Sequence, residues 1–424
     1  MIKKHVFDSK LELLYQKSNV DIDSIIVVCK AGSLDENENN RGIAHFIEHT
    51  TFKGTDKRSA IDINKEIDQT GAISNAFTSK DMTAFYIKGL KKFGEQYLDI
   101  LSDMIFNSKY DEEELEKEKE VVLEEATADL DDASELAYML FYKNSLKESD
   151  PLSHPIIGEI ESIKKFKRKD IIEFREKLYH PENIIIGFSS TRSKDEVINL
   201  VDKYFNKQFI NKKYEYELKE REKIRRSFKY KNNVLYKDFE QSAILIAMPW
   251  EKINSKNSSK AKIVDYILGS TSSSRLFTNL REKNGLAYSV YSYVENGKSY
   301  GNLFISILTN KEKAVKTVKC VKETLVELKE KGITDKELET NINSCEFVQL
   351  KSKMDPSSDI MFNTRKYAKT GKLQKDNYIL NEFRKLKVED INNYIKNRFD
   401  FNKVSVTYVG KQIDENLLEI FRNN

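Results

Sequence analysis

The sequence predicts a protein of mixed helices and strands that is folded as two related domains. The chain has 424 residues, a length typical of two to four domains. Short runs rich in β-branched residues alternate with longer charged segments of helical character. A helix-to-strand segment near the end of the first half recurs near the end of the second half, which indicates duplication.

The secondary structure predicted from the sequence is similar in the two halves. In the first half, the distribution of β-branched residues and helical periodicity predicts strands at 25–30, 72–78, 83–88 and 184–188, and helices at 43–51, 91–106, 111–142 and 194–205. In the second half, it predicts strands at 243–248, 288–294 and 302–308, helices at 260–268 and 274–281, and further long amphipathic helices from 311 to about 351.

The repeated segment and a charged stretch suggest the domain boundaries. Residues 170–180 lead into an apolar run at 183–188, and residues 390–400 lead in the same way into 403–408, with an offset of 390 − 170 = 220 residues. One such match could arise by chance, but the equal lengths of the halves favour duplication. The stretch between the halves lacks glycine and fits either a linker or a solvated helix. We predict an N-terminal domain at 1–210, a linker at 211–232 and a C-terminal domain at 233–424.

Composition argues against several classes of protein. The 71 basic and 68 acidic residues leave a net charge of +3, without the basic stripe typical of a nucleic-acid binder. No stretch approaches the roughly 20 apolar residues of a membrane span, and the N-terminus has no signal-peptide pattern. The widely separated Cys29, Cys320 and Cys345 are typical of reduced thiols in a cytosolic protein. We expect a cytoplasmic protein with no nucleic-acid or membrane partner.

One motif carries a specific chemistry. His45-Phe-Ile-Glu48-His49 has the H-x-x-E-H pattern of an inverted zinc-peptidase motif. Residues four apart share one helix face, so both imidazoles can reach one ion. A catalytic zinc takes three protein ligands and keeps a position for water, whose pKa it lowers to about 7. Glu48 would lie beside the metal and act as the general base.

Spacing alone leaves two questions about this motif open. The two histidines could instead be surface residues of a helix with an unrelated Glu48, but the flanking residues are too apolar for an exposed helix. The third ligand is one acid among many. The segment from Glu118 to Glu125 offers two carboxylates seven residues apart, about two helical turns, and therefore on one face. Acids on a helix are usually solvated, so the residues by themselves do not choose between them.

The segment from Gly42 to Thr55, Gly-Ile-Ala-His-Phe-Ile-Glu-His-Thr-Thr-Phe-Lys-Gly-Thr, closely resembles the zinc-site segment of the pitrilysin/insulysin family of metallopeptidases. The chain is most similar to the short bacterial peptidases and the processing-peptidase subunits of that family. In the family, the third ligand is a glutamate 76 residues after the second histidine, which here is Glu125 (125 − 49 = 76). A further family acid, seven residues earlier, corresponds to Glu118 and is implied to assist the site.

Two other segments extend the resemblance across most of the chain. Gly71-Ala-Ile-Ser-Asn75-Ala76-Phe-Thr78 resembles the family's edge strand, on which a peptide adds as a further strand. The resemblance therefore implies that Asn75 and Ala76 align the substrate. Arg281 and Tyr288, seven residues apart, resemble a family pair that binds and polarises the scissile carbonyl.

The resemblance implies an α+β fold of two homologous domains, each a mainly antiparallel sheet packed against helices, as in the processing peptidases. It implies a zinc-dependent endopeptidase with one Zn²⁺ per chain, held by His45, His49 and Glu125, and with Glu48 as general base. The substrates would be short or unfolded peptides admitted to a clamshell chamber. Two chains would form a homodimer, with the Arg281 and Tyr288 side chains reaching the site in cis or in trans.

Two other functions are compatible with the same residues. The first is a noncatalytic peptide-binding or scaffold subunit of the same fold, although such subunits usually lack a zinc ligand or the glutamate, which are all present here. The second is a metal-dependent hydrolase that acts on something other than peptides. The edge-strand segment and the Arg281–Tyr288 pair argue against this second alternative.

Overall fold

Two β-sheets form the framework of the protein. The structure is a computed structural model that describes residues 2–210, 226–413 and 416–422. The first sheet contains β1 (Ile2–Val6), β2 (Glu12–Lys17), β3 (Ile22–Cys29), β4 (Ile73–Thr78), β5 (Thr83–Leu90) and β6 (Ile184–Ser190). The second sheet contains β7 (Asn233–Tyr236), β8 (Ser242–Pro249), β9 (Ser289–Asn296), β10 (Gly301–Thr309) and β11 (Ser405–Gly410).

The two sheets share one topology. The strand order is β1-β2-β6-β3-β5-β4 in the first sheet and β7-β11-β8-β10-β9 in the second. Among the described strands, β2 with β6 and β7 with β11 pair in parallel, and the other neighbours are antiparallel. The last five strands of the first sheet therefore correspond in order to the five strands of the second. The predicted α+β class, with two similar and mainly antiparallel sheets, is confirmed.

Helices cover both sheets. In chain order they are α1 (Ile43–Thr51), α2 (Ala60–Gln69), α3 (Gly94–Asn107), α4 (Glu112–Leu130), α5 (Ala133–Ser145), α6 (Ile160–Ile163), α7 (Arg168–Leu178), α8 (Lys194–Tyr204), α9 (Ser258–Asp265), α10 (Ala314–Lys331), α11 (Asp335–Met354), α12 (Pro356–Thr370), α13 (Tyr378–Phe383) and α14 (Val388–Arg398). Two π-helical segments, Tyr266–Ser270 and Phe277–Lys283, lie between α9 and β9. The second of these occupies the position of the helix predicted at 274–281.

The duplication is visible in the bounds of the helices. α7 and α14 begin and end with the same offset, since 388 − 168 and 398 − 178 both equal 220. α7 leads into β6, which pairs in parallel with β2, and α14 leads into β11, which pairs in parallel with β7. The repeat that the sequence indicated is therefore a repeat of structure.

The chain divides into two compact units that do not follow the order of the sequence. The first unit contains Met1–Thr127, His154–Leu218 and Leu350–Asp376, and the second contains Ala128–Ser153, Lys219–Gln349 and Asn377–Asn424. α5 thus belongs to the unit of the second sheet, and α12 belongs to the unit of the first. The domain boundaries at 1–210 and 233–424 stay a prediction about the two related halves, because each unit also contains a helix from beyond them.

The strand β3 shows how the first sheet is buried on both faces. Successive side chains of a strand point to opposite faces. Ile25 and Val27 belong to the core that also contains residues of α1, α3 and α7, whereas Ile26 and Val28 lie in a second cluster. On that second side, α12 packs against β2, β3 and β6. The sheet therefore packs against α1 on one face and against α12 on the other.

The second unit is built in the same way. Ile244 and Ile246 of β8 lie in a core with residues of α9, α10 and α14. On the opposite face, α5 packs against β8 and β11. α5 and α12 thus play equivalent parts in the two units.

The single helix predicted at 111–142 is wrong. The structure contains two helices, because α4 ends at Leu130 and α5 begins at Ala133. The Asp132 side chain caps α5 by accepting hydrogen bonds from the N–H groups of Ser134 at 2.7 Å and Glu135 at 3.1 Å. An aspartate at this position favours the start of a new helix over continuation of the preceding one.

The predicted linker at 211–232 lies partly outside the described residues, since 211–225 are not described. Residues 226–232 form neither helix nor strand. Arg226 lies 2.8 Å from a carboxylate oxygen of Asp150 within the second unit. Among the described helices, none combines the length and the apolar character that crossing a bilayer requires.

Candidate metal centre

The helix α1 carries the H-x-x-E-H motif and begins at an unusual backbone position. Gly42 precedes the helix with φ of +94°, a conformation that strongly favours glycine. A Cβ at Gly42 would lie 2.4 Å from the carbonyl oxygen of Ile157 and 2.8 Å from the Cα of Gly158. The chain at Gly42 and the loop at Gly158 therefore pass each other at a distance that only glycine permits. The start of α1 is fixed by this contact.

The buried carboxyl group of Glu36 also binds the start of α1. The Glu36 side chain accepts hydrogen bonds from the N–H of Gly42 at 2.8 Å and from the N–H of Ala44 at 3.0 Å. The first N–H groups of a helix have no partner within the helix and carry partial positive charge, so an acid is a favourable acceptor there. Burial raises the pKa of Glu36 to about 8, against the effect of the two N–H groups, which lower it.

The helix α4 faces α1 with a stripe of buried residues. Leu115, Glu118, Val122 and Ala126 are buried at a spacing of three or four residues, which places them on one side of the helix. Glu125 lies two turns from Glu118 and close to the same side. Because Glu118 lies within the buried stripe while Glu125 lies at its margin, the two acids have different environments.

Three side chains converge where α1 and α4 meet. A single ligand atom from each of His45, His49 and Glu125 lies within 4.8 Å of the others. The Nε2 atoms of His45 and His49 are 3.9 Å and 3.4 Å from the nearer carboxylate oxygens of Glu125. Ligand atoms at zinc bonding distance in a tetrahedral site are about 3.3–3.4 Å apart. Two imidazoles and one carboxylate at these separations fit a zinc ion with small adjustments of the side chains.

The ring orientation of His49 is fixed by Glu118. The Nδ1 atom of His49 lies 2.8 Å from Oε1 of Glu118, and Lys53 Nζ lies 2.5 Å from Oε2 of the same carboxylate. The carboxylate accepts a hydrogen bond from Nδ1–H, so the proton stays on Nδ1 and Nε2 keeps its lone pair for a metal. Burial is the largest single influence and favours the neutral form of both groups, but their hydrogen bond together with the neighbouring charges outweighs it; these charges are Lys53 for Glu118, and Glu125 and Glu48 for His49. The pKa of His49 is therefore raised and that of Glu118 is lowered.

His45 is held differently. Its Nδ1 atom is buried, and within the described parts of the chain it has no hydrogen-bond partner. Burial, together with the nearby imidazole of His49, lowers the pKa of His45 to about 4. A histidine with such a pKa is neutral at pH 7, which is the form that binds metal.

Glu48 points into the same region without belonging to the set of three converging ligands. Its Oε2 atom accepts a hydrogen bond of 2.6 Å from the hydroxyl of Thr78. Burial raises the pKa of Glu48, and the negative charge of Glu125 acts in the same direction, while the Thr78 hydroxyl opposes both. A carboxyl group with a raised pKa beside a metal site is suited to accept and return a proton near neutral pH.

The predicted substrate-binding residues lie on an edge strand. β4 pairs with β5 and ends the order of strands in the first sheet. The N–H of Ala76 donates to the side chain of its neighbour Asn75 at 2.7 Å and not to β5. The edge therefore offers a backbone donor that a peptide could bind, while the role of Asn75 and Ala76 in substrate binding stays a prediction.

The structure places Arg281 and Tyr288 in the second unit, whereas His45, His49 and Glu125 belong to the first. Arg281 lies in the π-helical segment, with its guanidinium 5.1 Å from the centre of the Phe277 ring. Tyr288 directly precedes β9, and 70% of its surface is exposed. Both side chains are accessible, and their contribution to a site stays a prediction.

Sequence reasoning missed three residues around the motif. Glu36 binds the start of α1, Lys53 binds Glu118, and Thr78 binds Glu48. Lys53 lies two residues beyond the end of α1, so the helical periodicity of the motif does not extend to it. Glu36 and Thr78 are brought to α1 by folding of the sheet, and no local pattern signals those contacts.

Comparison with known proteins agrees with the fold. A family model described as insulinase (peptidase family M16) matches residues 13–159, and one described as the peptidase M16 inactive domain matches residues 165–345. A protein of Bacillus subtilis strain 168 named uncharacterized zinc protease YmxG is 30% identical over 400 residues, which cover 94% of this chain and 96% of the relative. A Rickettsia felis protein named uncharacterized zinc protease is 31% identical over 323 residues, covering 75% and 76%.

Solved structures show the same architecture. The crystal structure of a protease from Helicobacter pylori superposes with a TM-score of 0.88 at 22% identity, covering 97% of this chain and 99% of the other. The crystal structure described as a peptidase M16 inactive domain from Pseudomonas fluorescens gives a TM-score of 0.87 at 17% identity, covering 98% and 99%. These likenesses place the protein in the class of two-sheet α+β folds found in M16-like peptidases.

The chain belongs to peptidase family M16, the insulinase family. The family resemblance of the motif segment is therefore confirmed, and the relatives' names connect it with zinc-dependent proteolysis.

Proposed function

We propose that the protein is a zinc-dependent endopeptidase that cleaves internal bonds of short or unfolded peptides. The observation that carries this proposal is the convergence of His45, His49 and Glu125 with Glu48 beside them. A noncatalytic subunit would have no need of a base next to the ligand set. One Zn²⁺ per chain would occupy the position between the three ligands.

The residues of this chain divide the chemistry among them. Bound zinc would lower the pKa of a water molecule to about 7 and would act as a Lewis acid on the carbonyl. Glu48 takes the proton of the attacking water and then passes it to the leaving amine. Glu118 and Lys53 keep the imidazole of His49 in the tautomer that binds metal. Asn75 and Ala76 align the peptide along β4, and Arg281 and Tyr288 bind and polarise the scissile carbonyl.

The decisive variant is Glu48→Gln, which removes the base but keeps the size of the side chain. We expect full zinc content and a loss of peptide hydrolysis of about 10²–10⁴-fold, measured with an unbiased peptide library. A chelator should abolish wild-type cleavage, and added zinc should restore it. Glu124→Gln, an exposed acid beside Glu125, is the matched control and should leave activity unchanged. Normal cleavage by Glu48→Gln would overturn the role of this residue.

A wild-type protein that holds zinc but cleaves no peptide of the library would instead favour the noncatalytic subunit.

We propose that the protein is located in the cytoplasm, supported by the absence of disulfides among the described residues. A homodimer is proposed on the family resemblance, and the mass of the protein in solution tests it directly.

Mixing two variants that are impaired at different residues tests whether the second copy completes the site. Tyr288→Phe should reduce turnover, because the phenol no longer binds the carbonyl oxygen. If Tyr288 acts in trans, a dimer of one Glu48→Gln chain and one Tyr288→Phe chain has one complete site. After subunit exchange, an equal mixture should then regain about a quarter of wild-type activity, by random pairing in a symmetric dimer. No recovery would place Tyr288 in the site of its own chain, and an unchanged rate in Tyr288→Phe would remove it from the site.

A further inference from the structure

We propose that Thr78 is a positioning residue for Glu48, so that the strand that aligns the substrate also orients the general base. This inference rests on the proposed peptidase function. It adds a residue that neither the motif nor the names of the relatives assign.

The hydrogen bond is short and directed. The Thr78 hydroxyl donates to Oε2 of Glu48 at 2.6 Å, within the range of about 2.5–2.7 Å found for hydroxyl donors to a carboxylate. Both side chains are half-buried, so water competes less for this contact than it would at an open surface. The bond therefore restricts rotation of the carboxylate, which would otherwise turn freely about its last torsion.

The bond engages one oxygen and leaves the other available. No hydrogen bond to Oε1 of Glu48 is found within residues 2–210, 226–413 and 416–422, the parts of the chain that are described. A general base needs one oxygen turned towards the water from which it takes a proton. Anchoring Oε2 to a fixed donor selects which oxygen serves in that way.

Thr78 sits at a place where it can connect substrate binding with catalysis. It is the last residue of β4, where it pairs with Thr83 of β5, and Thr83 is buried and bonded to the carbonyl of Ala31 at 2.9 Å. Side chains two residues apart in a strand share a face, so Ala76 and Thr78 lie on the same side of the sheet. Ala76 packs against the core that contains α1, which places the Thr78 hydroxyl on the side of the motif helix.

A single rigid strand thus aligns the peptide through its backbone and the base through its last side chain. The distance between the bound peptide and the Glu48 carboxylate is then set by one element of structure, with no intervening loop. Positioning of this kind acts on turnover, because a misplaced base slows proton transfer while the peptide still binds.

The test compares Thr78→Val, which keeps the shape but lacks the hydroxyl, with Thr78→Ser, which keeps the hydroxyl. We expect Thr78→Val to lower kcat by about 10- to 100-fold, with KM changed less than about twofold. Thr78→Ser should retain most of the activity. Zinc affinity, measured by competition with a chelator, should be the same in all three proteins, and a crystal structure of Thr78→Val should show the Glu48 carboxylate rotated or in several orientations.

Three results would overturn the inference. These are a wild-type kcat in Thr78→Val, a fall in zinc affinity that accompanies the fall in kcat, and an unmoved Glu48 side chain in the crystal structure. If Thr78→Val does not fold, Thr78→Ala provides the same comparison against Thr78→Ser. A wild-type protein without chelator-sensitive cleavage would refute the proposed function, whereas the orientation of Glu48 in the variants would still decide the positioning role.

Discussion

At the scale of single residues, the environment of each acid near α1 determines what it can do. Glu118 is buried and bonded to His49 and Lys53, Glu48 is half-buried and bonded to Thr78, and Glu125 is about half exposed. The same functional group therefore orients an imidazole in Glu118, is a candidate base in Glu48 and is a candidate ligand in Glu125. Burial and hydrogen-bond partners, more than residue type, separate these roles.

The anchoring role of Glu118 leads to a prediction about metal affinity. Glu118→Gln keeps an acceptor for His49 but loses the negative charge, so the imidazole becomes a weaker ligand. We expect zinc affinity to fall about 10-fold or more, measured by competition with a chromogenic chelator. Glu120→Gln, an exposed acid on the same helix, is the control. Equal affinity in the two variants would show that Glu118 does not orient His49.

At the scale of elements, the position of β4 at the edge of the first sheet matters most. An edge strand presents backbone groups that another strand can bind. The Ala76 N–H donates to the side chain of its neighbour Asn75. The strand is thus held firmly by β5 on one side and is available on the other.

Ala76→Pro tests peptide binding at this edge. Proline removes the backbone N–H, and an edge strand tolerates proline where that group does not bond within the sheet. Losing one hydrogen bond to the peptide should raise KM by about 3- to 10-fold, with zinc content and melting temperature little changed. Ala76→Ser, which keeps the N–H, should behave like wild type. If the KM of the proline variant stays at the wild-type value, the peptide does not bind along β4.

The elements also show what a sequence can and cannot predict. The bounds of α1 and the offset between α7 and α14 follow from local pattern, and both are confirmed. The break at Asp132 was missed because helical periodicity continues across it, and only the capping role of the aspartate ends the helix. Glu36 and Thr78 were missed because their contacts with α1 join residues that are distant in sequence. Such contacts depend on the topology of the sheet, which no local pattern specifies.

At the scale of the whole molecule, each sheet is completed by a helix from the other half of the sequence. α12 covers one face of the first sheet, formed by Leu14, Ile26, Val28 and Ile185. From the helix, Ile360 and Tyr367 pack against this face. A fragment that ends at residue 210 contains every strand of the first sheet but leaves this face uncovered. Apolar surface of this kind favours aggregation over a stable native fold.

We therefore expect the fragment 1–210 to unfold without a cooperative transition and to bind a hydrophobic dye, as measured by calorimetry and fluorescence. Joining residues 350–376 to it through a flexible linker should restore cooperative unfolding and zinc binding, because that segment supplies α12. Coexpression with the fragment 233–424 should do the same. A cooperative transition of the fragment 1–210 alone would show that α12 is dispensable for the first unit.

The exchanged helix also sets the order of events during synthesis on the ribosome. The last strand of the first sheet ends at Ser190, and α12 begins at Pro356, so 356 − 190 = 166 residues separate them. At a translation rate of about 5–20 residues per second, the sheet must wait on the order of 10 to 30 seconds for its covering helix. Throughout that interval the nascent chain exposes the apolar face that α12 later covers, and exposed apolar surface of this kind is what chaperones protect. The first unit therefore cannot finish folding until α12 has been made, although every strand of its sheet is complete by Ser190.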